Sequence, residues 1–269
     1  MSQDSGYYST PVDFWLAKAM EDIWDNYRHK VSVARKSKDL LKFGRNPLVG
    51  TAKATVMDLP AGVTSHSLLA SDLITTISSS DAADTRQVRV EGHTLSGGDF
   101  TFVVQTITLT GQTQATLATP LARVSRLYAD DTSTTELVGS IYVYEDDTST
   151  AGVPDTDSKV HLIVPAGQQQ SRKAATTISS TDYWIVMDFD ADCYEKTSAF
   201  AEIALEVKNS GGVWRPKETL AVNAGSHADH HFKPYLIIRP NSDVRLTSIA
   251  DGASTDVGGM IQGVLAKII

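Results

Sequence analysis

In the run MDFDADCYE, Asp188, Asp190 and Asp192 occupy alternate positions. On a strand, whose side chains alternate with period two, all three carboxylates project from one face and Met187, Phe189 and Ala191 from the other. Such a row could hold a divalent cation at a subunit contact. It could also serve as acid and base on a glycosidic bond, which takes two carboxyl groups about 5–10 Å apart. A solvated strand face explains the same pattern. The EF-hand loop needs a glycine and a distal glutamate, and this run has neither. A second run, SHADHHF, gathers His227, Asp229, His230 and His231. A helix would let His227 and His231 share a metal, whereas an extended chain would pair His227 with Asp229. The run follows Asn223-Ala224-Gly225 and reads as a polar loop or edge strand. Two or three ligands fall short of a closed zinc site unless symmetry supplies more. No resident metal or cofactor is therefore expected, and these four residues are the candidates should one bind.

Other catalytic arrangements are missing from the sequence. It has no GxSxG, no GxxxxGKS and no GxGxxG, and its one cysteine, Cys193, lies on the aspartate strand. His93 and His161 fall in separate strands with no evident partner. Trp184 and Trp214 could form a sugar-stacking platform, or they could be core and hairpin residues. No constellation supports catalysis, so a non-enzymatic protein is expected.

The elements that would position these residues fall into two regimes. Thr10-Pro11-Val12-Asp13 reads as a helix start, with Thr10 as N-cap and Pro11 in the first turn. Leu16, Met20, Ile23, Trp24, Tyr27, Val31 and Ala34 follow at spacings of three and four. Gly44 suits a helix C′ position, and Asn46-Pro47 ends the element. The pattern predicts a helix over Pro11–Phe43, about 50 Å long at 1.5 Å per residue, with a break near Ser32 and Val33.

After Pro47 the pattern turns to β. Alternation appears in QVRVE, FTFVVQTITL, LARVSRLY, SIYVYE, VHLIV, IALEVK and VRLT, with Gly- and Asp-rich turns between them. The expected architecture is mainly β: an N-terminal helix followed by one or two antiparallel, jelly-roll-like sandwiches. A short polar stretch, PAGQQQS, suggests the divisions 1–47, 48–167 and 168–269. The heptapeptide TTISSSD at 75–81 returns as TTISSTD at 176–182, but the flanks differ, so it reads as a repeated local turn rather than a duplicated domain.

The net charge of −8 is unevenly spread. Between Arg28 and Arg45, seven basic residues face one acidic residue, which gives +6 there and leaves −14 elsewhere. Such a basic arm meets either a negative partner or the acidic body of a neighbouring copy. No helix-turn-helix or zinc motif accompanies it, so specific nucleic-acid binding is not expected. No apolar run reaches the roughly 18–20 residues of a membrane span, and the N-terminus lacks the marks of a secretory signal.

Several segments carry a family resemblance: RKSKDLLKFGRNPLVGT, TISSSDAADTRQVRVEGH, TLTGQTQATLATPLARVSRLY, the segment Ile141–Asp146, AATTISSTDYWIV and IIRPNSDVRL. Together they resemble virion structural proteins of tailed bacteriophages. The resemblance implies capsid decoration, a head or tail fibre, or part of the tail, and it implies no catalytic residue. It would place the protein in the virion after folding in the host cytoplasm. Its partners would be copies of itself, with a trimer favoured, and other phage capsid or tail proteins. Subunit or virion anchoring is expected from Trp15, Ile23, Trp24, Tyr27, Arg35, Lys36, Lys38, Lys42 and Arg45. The alternative is a glycan-binding, host-recognition module using Trp184, Trp214 and the histidine run, and a surface depolymerase is a third reading.

Overall fold

The computed structural model describes residues 37–60, 63, 68–130, 136–195, 199–252 and 254–267. The chain begins with β1 (Ser37–Val49) and β2 (Ala54–Thr55). Nine strands follow: β3 (Ile74–Ser79), β4 (Gln87–Ser96), β5 (Asp99–Thr108), β6 (Ala115–Leu121), β7 (Arg123–Ala129), β8 (Ile141–Glu145), β9 (Ser149–Thr150), β10 (Val153–Pro154) and β11 (Val160–Val164). The last seven are β12 (Ala175–Thr177), β13 (Asp182–Cys193), β14 (Phe200–Lys208), β15 (Arg215–Asn223), β16 (His227–Ile238), β17 (Asp243–Ala250) and β18 (Thr255–Lys267). All paired strands are antiparallel.

Two sandwiches result. In one, the sheet β11-β8-β3-β6 faces β5-β4-β7. Its core joins Ile74, Ile77, Ile141, Val143 and Leu162 to Val88, Val90, Val124 and Leu127. In the other, β1-β18-β13-β16 faces β12-β17-β14-β15, with β2 added beside β17. Its core packs Trp184, Val186, Phe189 and Ile261 against Ile203, Leu205, Val244 and Leu246. The chain starts this second sandwich with β1 and β2, leaves to build the whole of the first, and returns at β12. Val49, Ala54 and Val56 accordingly lie in the same core as residues 174–261.

The expected helix over Pro11–Phe43 needs correction at its C-terminal end. Ser37–Phe43 belongs to β1, whose register against β18 runs from Ser37↔Ala266 to Val49↔Thr255. The remainder, 11–36, lies outside the described residues. Gly44 shows why the end was misread. A Cβ there would stand 2.1 Å from the Val56 carbonyl oxygen and 2.6 Å from the Ala174 nitrogen. This glycine lets two backbones approach rather than capping a helix. Gly263 in β18 does the same, since a Cβ would meet the Ile185 carbonyl at 2.1 Å.

The repeated heptapeptide occurs once in each sandwich. Its isoleucine is Ile77 in the first core and Ile178 in the second. In the first copy the Ser79 hydroxyl accepts from the Asp81 backbone N–H at 3.0 Å. In the second, the Asp182 N–H donates instead to the Ser179 carbonyl at 3.2 Å.

Candidate functional site

The two runs singled out by their chemistry meet in the fold. β13 and β16 pair in the register Asp188↔His231, Asp190↔Asp229 and Asp192↔His227. Residues directly opposed in an antiparallel pair share a face, so six acid and imidazole side chains form a three-rung ladder. Phe189, Ala191 and Cys193 alternate onto the buried side. The His227 Nδ1 lies 2.9 Å from the Asp192 carboxylate, and the His231 Nδ1 contacts the Asp188 carboxylate. The His231 Nε2 is 3.6 Å from Asp229. His230 takes the opposite face, 3.7 Å from Glu218 and edge-on to Phe232.

The hydrogen bond to Asp192 raises the proton affinity of His227 above the ordinary histidine value, against a small opposing effect of burial. Burial raises the Asp190 carboxyl; His227 opposes this, and the neighbouring aspartates add to it. Two groups of the ladder, His227 and Asp190, thus hold a proton more readily than their ordinary values allow. Among the described residues no group of three or more His, Cys, Asp or Glu side chains is arranged to hold a metal ion.

Trp184 is fully buried in the second core. Trp214 is half-buried and has the Arg245 guanidinium 4.0 Å over its ring. Of the anchoring candidates, Trp15, Ile23, Trp24, Tyr27, Arg35 and Lys36 lie outside the described residues. Lys38 is exposed, with its ammonium 5.5 Å from the centre of the Phe102 ring. Arg45 is paired with Asp256 and lies over Tyr194. Lys42 is only 5 % exposed and points into the seam between the sandwiches.

That seam is a cluster of buried cations, of which the sequence pattern singles out Lys42 alone, as an anchoring residue. Lys42 of β1 donates to the Ser125 carbonyl of β7 at 3.3 Å. Lys173 donates to the Val124 carbonyl at 2.7 Å and to the His161 carbonyl at 3.1 Å. Arg123 of β7 grips Asp243 of β17 through Nε at 2.9 Å and Nη2 at 3.3 Å, and its Nη1 donates to the Leu69 carbonyl at 2.6 Å. The Thr177 hydroxyl donates to the same Asp243 at 2.7 Å. Burial lowers Lys42 to about 8, partly offset by Glu91. Burial, and then Lys42 and Arg123, hold Lys173 well below its ordinary value. Burial, with the same two cations, brings His93 down to about 3, so its ring is neutral at ordinary pH.

One sequence signal could have exposed this seam. Arg123 sits within LARV, where apolar neighbours on a short strand leave little room for a solvated charge. Beside the seam opens a cleft of about 420 Å³. It is walled by β1 and the end of β18 on one side and by β4 and β5 on the other, and the second heptapeptide copy lines it.

No family model and no curated protein matches the sequence. Among solved structures, the T13 particle of infectious bursal disease virus overlaps 86% of this chain and 69% of its own, at 11% identity and a TM-score of 0.25. The VP2 subviral particle of the same virus overlaps 86% and 72%, at 13% identity and 0.22. An isomalto-dextranase of Arthrobacter globiformis overlaps 87% and 35%, at 9% identity and 0.21. Likeness at these scores carries no argument about this chain.

Proposed function

We propose that the chain is a non-enzymatic structural protein of a viral particle, of the tailed-phage decoration or fibre kind that its sequence segments resemble. In this reading it acts as a homo-oligomer built from a base sandwich (37–60 with 171–267) and an inserted sandwich (68–170). The observation that carries the proposal is the open edge of β1. This 13-residue strand ends its sheet and pairs only with β18 among the described residues. Its exposed side chains include Leu41 at 50% and Leu48 at 63%. A long strand at a sheet edge that carries exposed leucines is a template for another chain. The buried cations of the seam support the same reading, because they join the two sandwiches into one block without disulfides.

Light scattering on the purified chain tests this. A closed oligomer is expected, with three copies favoured, and L41E/L48E should reduce it to monomer. A wild-type chain that stays monomeric at high concentration overturns self-association. Absence of the chain from particles purified from producing cells overturns the virion role.

A further inference from the structure

The cleft between the sandwiches carries chemistry that a purely structural block does not need. Its volume, about 420 Å³, lies in the range of small-molecule sites. Lys38, Lys42 and Lys267 line it, against Glu91 and Asp182. Three cations against two carboxylates leave room for one further negative charge, and that argues against nucleic acid and other polyanions.

Two buried polar groups are incompletely matched. An ammonium offers three donors, yet Lys42, 5 % exposed, makes one hydrogen bond among the described residues, and that bond is long at 3.3 Å. His93 is 3 % exposed, and its Nδ1 has no hydrogen-bond partner. Its ring instead packs edge-on to Phe102 at 5.3 Å and Phe100 at 6.4 Å. Buried polar atoms in folded proteins are nearly always partnered, so unmatched ones beside a cavity point to a ligand.

The remaining lining fits a hydroxylated ligand. Ser179 and Ser180 of the second heptapeptide copy line the cleft with hydroxyls that bond to no described residue. Phe102 lines the cleft and keeps 39% of its surface exposed, an apolar face of the kind that packs on the C–H face of a sugar ring. A bare phosphate or sulfate would leave the phenylalanine and the serines unused.

We propose that this cleft binds an acidic sugar, a pyranose carrying a single carboxylate or sulfate. The anion sits against Lys42 and Lys38, the ring lies on Phe102, and the ring hydroxyls exchange hydrogen bonds with Ser179 and Ser180. The site lies within one chain, so it stands or falls separately from the virion role and from oligomerisation.

Calorimetric titration at pH 7 tests it with glucuronic acid and N-acetylneuraminic acid as probes, and glucose, N-acetylglucosamine and sodium sulfate as controls. At least one acidic sugar should bind about ten-fold or more tightly than its neutral counterpart and than sulfate, the difference one charge-assisted hydrogen bond makes. Lys42→Met should abolish that preference. Lysine to methionine keeps the length and removes a buried charge, so the variant should fold; Lys38→Ala, at an exposed position, gives an independent check. Phe102→Ala should weaken acidic and neutral sugars alike. Binding of sulfate as tight as that of the acidic sugars would reveal a simple anion hole and overturn the proposal. So would equal binding of acidic and neutral sugars, undiminished binding in Lys42→Met and Lys38→Ala, or no binding of any probe.

Discussion

Arg123 donates to both oxygens of Asp243 across the seam, whereas Lys42 reaches one backbone carbonyl. The two cations should therefore respond differently to removal. Arg123→Ala leaves Asp243 buried and without its guanidinium, and losing one partner of a buried pair costs about 3–5 kcal/mol. Lys42→Met removes a buried charge with no carboxylate bonded to it, so stability should hold or rise. Urea unfolding of the two variants checks this, and a loss below about 1 kcal/mol for Arg123→Ala would sink the claim. His93 sets a pH dependence at the same seam. Its folded value of about 3 lies below the unfolded value of about 6.5, so the unfolded chain binds the proton more readily. Its contribution is complete above pH 6.5 and is lost as pH falls toward 3, roughly 3 kcal/mol by pH 4. His93→Leu should lose that much less stability than wild type between pH 7 and pH 4. Equal losses in the two proteins would refute the assignment. At the level of single residues only Arg123, among the apolar residues of LARV, marks this seam in the sequence. Lys42 read as part of a basic surface run, because sequence spacing cannot tell a solvated lysine from one aimed at another domain. The ladder was half legible: the aspartates and histidines stood out by type, but only the β13–β16 register places Asp188 opposite His231 and Asp192 opposite His227.

At the level of elements, alternation told much. VHLIV coincides with β11, and QVRVE, IALEVK and VRLT fall inside β4, β14 and β17. QVRVE in β4 has one buried and one wetter face, the condition under which period two shows in a sequence, whereas in the other three the alternation is one of residue type, since His161, Glu206 and Thr247 are buried as well. The strands that escaped notice lack that alternation. β18 carries three glycines, Gly258, Gly259 and Gly263, where apolar side chains would otherwise mark the pattern. β1 places a lysine, a glycine and an asparagine, Lys42, Gly44 and Asn46, at its buried alternate positions. Its inner face is polar or bare, so the helical spacing upstream was extended into it. Gly44 supplies the matching prediction. Gly44→Ala forces a methyl against the Val56 carbonyl and the Ala174 nitrogen, and overpacking of this kind costs about 1–3 kcal/mol. Gly50→Ala, with nothing within 4 Å of the added atom, is the control. Thermal melts should show Gly44→Ala lowered by several degrees, about 2–4 °C per kcal/mol at this chain length, and Gly50→Ala near wild type. Matching melting temperatures would mean that β1 does not need the close approach.

For the molecule as a whole, the question is whether two cores make two proteins or one. Each core draws on both of its own sheets, and the two clusters share no residue. Independent domains of this size commonly unfold in separate cooperative steps. The seam opposes that separation. Lys42, Lys173 and Arg123 are all buried where the sandwiches meet, and opening the seam breaks their bonds to Ser125, Val124, His161 and Asp243 together. The turn at Asn241 adds to the joint: its side-chain oxygen accepts the Phe100 N–H at 2.9 Å, and its amide donates to Asp99 at 2.8 Å. Each sandwich is thus held in place partly by the other, and the intact chain should melt in a single calorimetric transition. Combining Arg123→Ala with Asn241→Ala removes the ion pair and this turn contact while leaving both cores whole, so the melt should divide in two. The tryptophans identify which half is which. Trp184 lies in the second core, and the first sandwich contains no tryptophan, with Tyr144 as its large buried aromatic. With Trp15 and Trp24 replaced by phenylalanine, tryptophan fluorescence in the double variant should follow only one of the two heat-absorption steps. Two transitions already present in the wild-type chain, or one surviving in the double variant, would show that the seam does not couple the sandwiches.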